Sequence, residues 1–320
     1  MGYLYVLMAG ALGLSVSAFA AAEPAWPSRS VRVIVPVAAG GAADTLGRTI
    51  TGMLSASLSQ QFFIENRPGG GSIPGIEAVA RADPDGYTLM VSGMSTHVLG
   101  LPMSKSAGLN PIRDFTHIAY IGGAPVVLVV HPSLNVTRLA DFLSLAKNQG
   151  VEYVSPVFGS VGHLAGESLA SSAGLRLRHV PYRGGGSAIL DLVAGHVKAG
   201  FLTWSTVVGH MRTGDIIPLA VTAPRRLPDF PNLPTFAELG HGDLLMTSWF
   251  GLSGPANLPQ HVTDLLNREV NAGMRLPDVR AALDRQSILT KPMTAAEFTA
   301  FVQSEVNKWA FAIKAFERGK

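Results

Sequence analysis

Ser160 and His163 stand three residues apart in Phe158-Gly159-Ser160-Val161-Gly162-His163, close to the G-x-S-x-G turn that exposes a nucleophilic serine. Phe158 replaces the first glycine of that turn, and a histidine at this spacing on a helix packs or bonds locally before it acts as a base. A hydrolase using Ser160 and His163 is therefore the weaker reading. The nine histidines include no pair three or four apart, which removes HExxH. There is no cysteine, so thiol nucleophiles, disulfides, iron–sulfur clusters and Cys-ligated zinc are excluded together. Neither G-x-x-x-x-G-K-[ST] nor G-x-G-x-x-G occurs, because Gly69-Gly70-Gly71-Ser72-Ile73-Pro74 ends on proline. Asp83 and Asp85 belong to the turn Asp83-Pro84-Asp85-Gly86. No catalytic constellation, metal or cofactor is expected.

What does recur is a strand running through glycines into a helix. The first such corner carries Ala38, Ala39, Gly40 and Gly41, with Asp44 just beyond. The second leads from Ser155 through Gly159 and Ser160 toward His163, and the third from Tyr182 through Gly184, Gly185 and Gly186 into Ala188–Ala194. A helix N-terminus leaves N–H groups unpaired and carries partial positive charge, so it attracts anions. Glycine lets that backbone approach a ligand closely. Three converging corners could hold a carboxylate with almost no charged side chain. Ordinary βα loops need the same residues, so composition leaves both readings open.

The elements that must place these corners alternate along the chain. Val31–Val37 is a nearly continuous apolar run, as in a strand buried on both faces of a parallel sheet. A helix with Leu46, Ile50, Leu54 and Leu58 four apart follows, then strands at Gln61–Glu65 and Tyr87–Ser92, with a short helix around Gly75–Ala82 between them. Val126–Val130 is a further apolar run and Arg138–Asn148 a helix; Pro259–Ala272, Asp278–Asp284 and Thr294–Glu317 make the C-terminal part helical, with Thr294 and Glu297 as a capping box. This βαβα order predicts an α/β protein with parallel sheets.

The 320 residues suffice for roughly two domains. A formal charge of +3, with no Lys/Arg run beyond two, argues against nucleic-acid binding. Residues 1–22 are uncharged and end in Ala18-Phe19-Ala20-Ala21-Ala22, which fits a cleavable signal peptide; the basic residue usual before the apolar stretch is missing. A membrane anchor is the alternative.

Together the segments resemble the Bug-type periplasmic solute receptors of tripartite tricarboxylate transporters. The resemblance is carried by Trp26-Pro27, Val35-Pro36 with Ala38–Gly41 and Asp44, Glu65-Asn66-Arg67-Pro68-Gly69 and Pro84-Asp85-Gly86-Tyr87-Thr88-Leu89. It continues through His163-Leu164-Ala165-Gly166-Glu167, Val180-Pro181-Tyr182-Arg183-Gly184, Leu219-Ala220-Val221-Thr222 and Pro234-Thr235-Phe236-Ala237-Glu238, to the last helix with Glu305 and Trp309. It implies a two-lobed type II periplasmic-binding-protein fold that closes like a flytrap. Lobe one would hold residues 24–125 and 248–320, and lobe two residues 126–247. It further implies a periplasmic monomer that captures a small organic carboxylate for two integral-membrane permease subunits, or else docks onto a membrane sensor. By the same resemblance Ser95, Thr96 and His97 line the cleft, Thr203 stands at a ligand-contacting position, and Asp44 is a structural cap. The chain departs from the pattern at Pro156-Val157-Phe158, Lys198 and Leu202-Thr203-Trp204. Leu202 cannot pair an ammonium, so the expected ligand is a carboxylate with a less polar body, aromatic bodies included, and neither an amino acid nor citrate.

Overall fold

Val31–Val35 (β1) can be apolar at nearly every position because both of its faces are covered. A computed structural model describes residues 26–103 and 108–318, so the leader expected at 1–22 lies outside the described residues. From β1 the chain runs through α1 (Ala42–Leu58), β2 (Phe62–Asn66), α2 (Ile73–Ala80) and β3 (Thr88–Gly93). A π-helical turn, Met94–Gly100, leads into the short α3 (Leu101–Met103) and then β4 (Phe115–Val130). Next come α4 (Leu139–Asn148), β5 (Val151–Ser155), α5 (Val161–Ala173), β6 (Leu177–Pro181), α6 (Gly185–Val193), β7 (Ala199–Thr203), α7 (Trp204–Thr213) and β8 (Ile217–Val221). The chain returns through β9 (Thr247–Pro255) to α8 (Gln260–Gly273), α9 (Pro277–Arg285) and α10 (Ala295–Arg318).

The strands follow the order β2-β1-β3-β9-β4-β7-β5-β6, with β8 on β4. Val33, Val35, Leu89 and Val91 bury one face against Leu46, Ile50 and Leu54 of α1 and Val262, Leu266 and Val270 of α8. Ile34 and Met90 bury the other against Ile76 and Val79 of α2. The C-terminal capping box forms as its spacing predicts: Thr294 N–H donates to Glu297 Oε2 at 2.8 Å and Glu297 N–H to Thr294 Oγ1 at 3.2 Å.

The parallel sheet expected from the βαβα order is present only in part. β1 pairs β2 and β3 in parallel and β5 pairs β6 and β7 in parallel, but β3–β9, β9–β4, β4–β7 and β4–β8 are all antiparallel. The cause is β4, whose first part pairs with β9 as far as Pro125↔Thr247 and whose last part, from Val126, pairs with β7 and β8. Gly122, Gly123 and Pro125 interrupt its apolar pattern, which hides a 16-residue strand from periodicity. Thr222 fastens the crossing: it takes the Val126 N–H on Oγ1 at 2.9 Å and donates that hydroxyl to the Met246 carbonyl at 2.7 Å. A side chain on Gly122 would meet Ile288 at 2.5 Å, and one on Gly123 would meet Thr247 at 2.4 Å, so both glycines are required by packing at this point.

Candidate functional site

The first corner is held open by Asp44. Its Oδ2 accepts the Gly40 N–H at 3.0 Å, and its two oxygens take Arg48 Nε at 3.1 Å and Nη2 at 3.0 Å. Asn66 Nδ2 donates to Asp44 Oδ1 at 2.9 Å and to the Val37 carbonyl at 3.2 Å, which explains the Glu65-Asn66-Arg67 segment locally. Burial alone would raise the Asp44 carboxyl, but the hydrogen bonds from Arg48, Gly40 and Asn66 and the Arg48 charge hold it below its ordinary 3.8. Asp44 is thus a cap on the corner, as the resemblance implies.

Around this corner lies a cavity of about 60 Å³. Gly41, Ala42 and Ala43 line it from the start of α1, Gly185 from α6, and Thr203 and Thr206 from α7. None of these three helices has a side-chain hydrogen bond capping its N-terminus, so their first amides remain available to an anion. Ser92, Gly93, Ser95, Thr96, Ser248, Trp249 and Phe250 line the cavity from β3, the π-helical turn and β9, and Pro156 and Val157 from the second corner. Pro36, Val37 and Val91 complete it. Among the described residues no Asp, Glu, Lys, Arg or His lines it, so a carboxylate here meets dipoles and hydroxyls. Thr206 Oγ1 and Trp249 Nε1 are buried without a hydrogen-bond partner, leaving polar capacity unused.

The opposing corners touch. Ala38 N–H donates to the Arg183 carbonyl at 2.7 Å. A Cβ on Gly184 would lie 2.8 Å from Ala38 N, one on Gly186 2.2 Å from the Ala39 carbonyl oxygen, and one on Gly41 3.1 Å from Gly185 N. Only glycine allows this backbone-on-backbone approach across the cleft.

The structure brings Gly41, Ser95, Thr96, Gly185 and Thr203 into the lining, while Ala38, Ala39, Gly40 and Gly184 form the facing corners beside it. Thr96 Oγ1 is engaged with Gly93 N–H at 2.8 Å and with the Gly93 carbonyl at 3.0 Å. His97 is fully buried beneath, its ring against Phe115 and His117, and burial, then the His117 charge, lowers its pKa. Ser95, Thr96 and His97 belong to the π-helical turn Met94–Gly100. Tyr182 gives its phenol to Asp191 of α6, away from the lining; burial, then that bond, pushes it up to about 12. Trp204 packs edge-on against Phe230, Leu202 is buried, and Lys198 donates to Ser133 Oγ at 2.9 Å, so none of the three lines the cavity. The β7–α7 corner was missed as a corner because Thr203-Trp204-Ser205-Thr206 carries no glycine.

Ser155, Gly159, Ser160 and His163 sit behind the second corner. Ser160 Oγ caps α5 by accepting His163 N–H at 3.2 Å, and donates to Ser155 Oγ at 3.0 Å. His163 Nδ1 accepts the Gly159 N–H at 3.1 Å. Ser160 thus gives its hydroxyl hydrogen to Ser155 and His163 Nδ1 takes a backbone amide, so both side chains are engaged in shaping the corner.

Comparison with known proteins agrees with this geometry. Residues 46–317 match the model of the "Tripartite tricarboxylate transporter family receptor". The chain belongs to that family. It is 30% identical over 292 residues to Protein BugT of Bordetella pertussis, covering 90% of each chain. It superimposes on R. palustris Rpa4515, solved with adipate, with a TM-score of 0.87 at 30% identity, covering 90% of this chain and 97% of that one. On MatC (Rpa3494) from Rhodopseudomonas palustris with bound malate the TM-score is 0.84 at 30% identity, covering 90% of this chain and all of that one. The fold of this receptor is therefore the two-lobed α/β architecture of periplasmic binding proteins, and its relatives are solute-binding receptors, not enzymes.

Proposed function

We propose that this receptor captures a small organic carboxylate in the cleft between residues 24–125 with 248–320 and residues 126–247, and delivers it as a periplasmic monomer to two integral-membrane permease subunits. The observation that carries the ligand class is the lining: three helix N-termini without side-chain caps and several hydroxyls, with no charged side chain among the described residues. Dipoles and N–H groups hold an anion without a cationic partner. Adipate and malate in the related structures are consistent with that class. The ligand body is weakly polar, because Pro156, Val157, Val91 and Phe250 occupy the rest of the wall. An amino acid is disfavoured, since its ammonium would be desolvated without a carboxylate to pair it.

Thermal unfolding of residues 23–320 against mono-, di- and aromatic carboxylates tests the reading. An acid at 100 times its dissociation constant adds about 2.7 kcal/mol of apparent stability, or roughly several degrees for a chain of this size. A shift with one class of acid supports the proposal. Equal or larger shifts with aspartate, glutamate or citrate would contradict it.

A further inference from the structure

The second corner reaches the cleft through Pro156 and Val157, and its shape is set from behind by two imidazoles. Gly159 has φ of 76°, and its N–H donates to His163 Nδ1 at 3.1 Å. A nitrogen that accepts carries no proton, so this bond requires neutral His163. Ser155 Oγ donates its one hydrogen to the Val157 carbonyl at 3.1 Å and accepts from Ser160 Oγ at 3.0 Å. The remaining contact of Ser155, to His179 Nε2 at 2.8 Å, is therefore donated by the imidazole. The rings of His163 and His179 stack with centroids 3.9 Å apart and planes 21° apart. The hydrogens of Gly159 N, Ser155 Oγ, Ser160 Oγ and His179 Nε2 then each have an acceptor with both rings neutral.

We infer that His163 and His179 are positioning residues for the cleft: as a neutral stacked pair they hold residues 156–159 in their ligand-facing shape, and protonation of His163 releases that corner. The inference rests on the cleft's being the ligand site. A proton on His163 Nδ1 would meet the Gly159 N–H donor to donor. Glu167 Oε1 lies 3.9 Å from His163 Nε2 and accepts the Tyr153 hydroxyl at 2.8 Å. It favours a cationic ring but cannot restore the lost acceptor on the opposite nitrogen. Tyr153 and Phe158 contact the rings as neutral aromatics. Arg178 and Glu152, alongside on β6 and β5, pair with each other. Burial holds His179 down to about 4, which keeps that ring neutral over the pH range of the test below.

The test compares the wild type with His163→Asn and His163→Leu. Asparagine offers a non-titrating oxygen near the position of Nδ1, and leucine offers no acceptor. Amide exchange over residues 156–163, in ligand-free protein and corrected for intrinsic chemistry, is followed from about pH 7.5 to about pH 5. In the wild type, protection is expected to fall by about tenfold or more across that range. His163→Asn should stay protected at both ends, and His163→Leu should be poorly protected at both. The affinities of succinate, adipate and benzoate should follow the same pattern, with each wild-type value compared with the Asn variant at the same pH so that ionisation of the probe cancels. Flat protection in the wild type, or the same pH dependence in His163→Asn, would overturn the inference. If exchange behaves as stated but none of the three acids binds at any pH, it is the carboxylate reading that fails, and the hold of His163 on the corner stands.

Discussion

Replacing Gly186 with alanine separates closure from folding. Gly186 lies in the first turn of α6 and is not among the positive-φ glycines, and alanine is favoured over glycine within helices by up to about 1 kcal/mol. Inside its own lobe the change is neutral or mildly stabilising. Across the cleft the new Cβ would stand 2.2 Å from the Ala39 carbonyl oxygen and 3.0 Å from the Gly40 carbonyl carbon. A carbon–oxygen contact needs about 3.3 Å, and both obstacles are backbone, so the corners must separate by roughly 1 Å. The Ala38–Arg183 hydrogen bond, 2.7 Å here, is then stretched beyond useful range. Losing that bond and the facing backbone contacts costs about 2 kcal/mol, and at 1.4 kcal/mol per factor of ten the affinity for a cleft ligand drops ~30-fold. Calorimetric titration with the acid that shifts unfolding most, paired with small-angle scattering, reads both effects. The variant should bind weakly and remain more extended with ligand, while its ligand-free unfolding stays within about 1 kcal/mol of wild type. Gly209→Ala in α7, where a Cβ meets nothing within 4 Å, is the control and should change neither quantity. Wild-type affinity and a wild-type scattering profile in Gly186→Ala would refute the reasoning.

Thr222→Val keeps the shape of the strand crossing but leaves the buried Val126 N–H and Met246 carbonyl without their hydroxyl partner; a loss of about 2 kcal/mol is expected in urea unfolding, and an unchanged midpoint would contradict the role of Thr222. Stability should decline as pH falls from 6.5 toward about 4, because His117 and His179 are both lowered to about 4 by burial and the unfolded chain takes up protons first; flat stability over that window, in denaturant titrations at each pH, would count against the buried imidazoles. Asp44 acts on the more acidic side: its folded pKa is lowered, so its contribution is present above 3.8 and is lost as pH falls through the folded value. The stability gap between wild type and Asp44→Asn should therefore be widest above pH 3.8 and close below it, and a gap that persisted in acid would show that the carboxylate charge is not what holds the corner.

The parts of the fold legible in the sequence were those that local patterns determine. The apolar run of β1, the four-residue spacing of Leu46, Ile50 and Leu54, and the Thr294–Glu297 cap each depend on neighbours close in the chain. The crossing through β4 depends on strands more than a hundred residues apart, and Gly122, Gly123 and Pro125 mask its periodicity. The three glycine corners were visible because glycine marks close backbone approach. The α7 corner uses threonines, and the wall formed by Ser248, Trp249 and Phe250 has no local mark that distinguishes it from any buried strand. Tyr182 sits in a corner sequence, yet its hydroxyl is taken by Asp191, a pairing set by the return of α6 over β6. Of the residues that depart from the family pattern, Val157 lines the cleft, whereas Phe158 lies against the His163 and His179 rings behind it and Trp204 packs into the core.

A crystal structure of the receptor grown with the acid that raises its unfolding temperature most would test the central claim directly. The account places the carboxylate oxygens about 2.7–3.2 Å from first-turn N–H groups of α1, α6 or α7 or from the cleft hydroxyls, with no Lys or Arg side chain in contact. A carboxylate paired to an arginine outside this cleft, or a cationic ligand within it, would contradict the account.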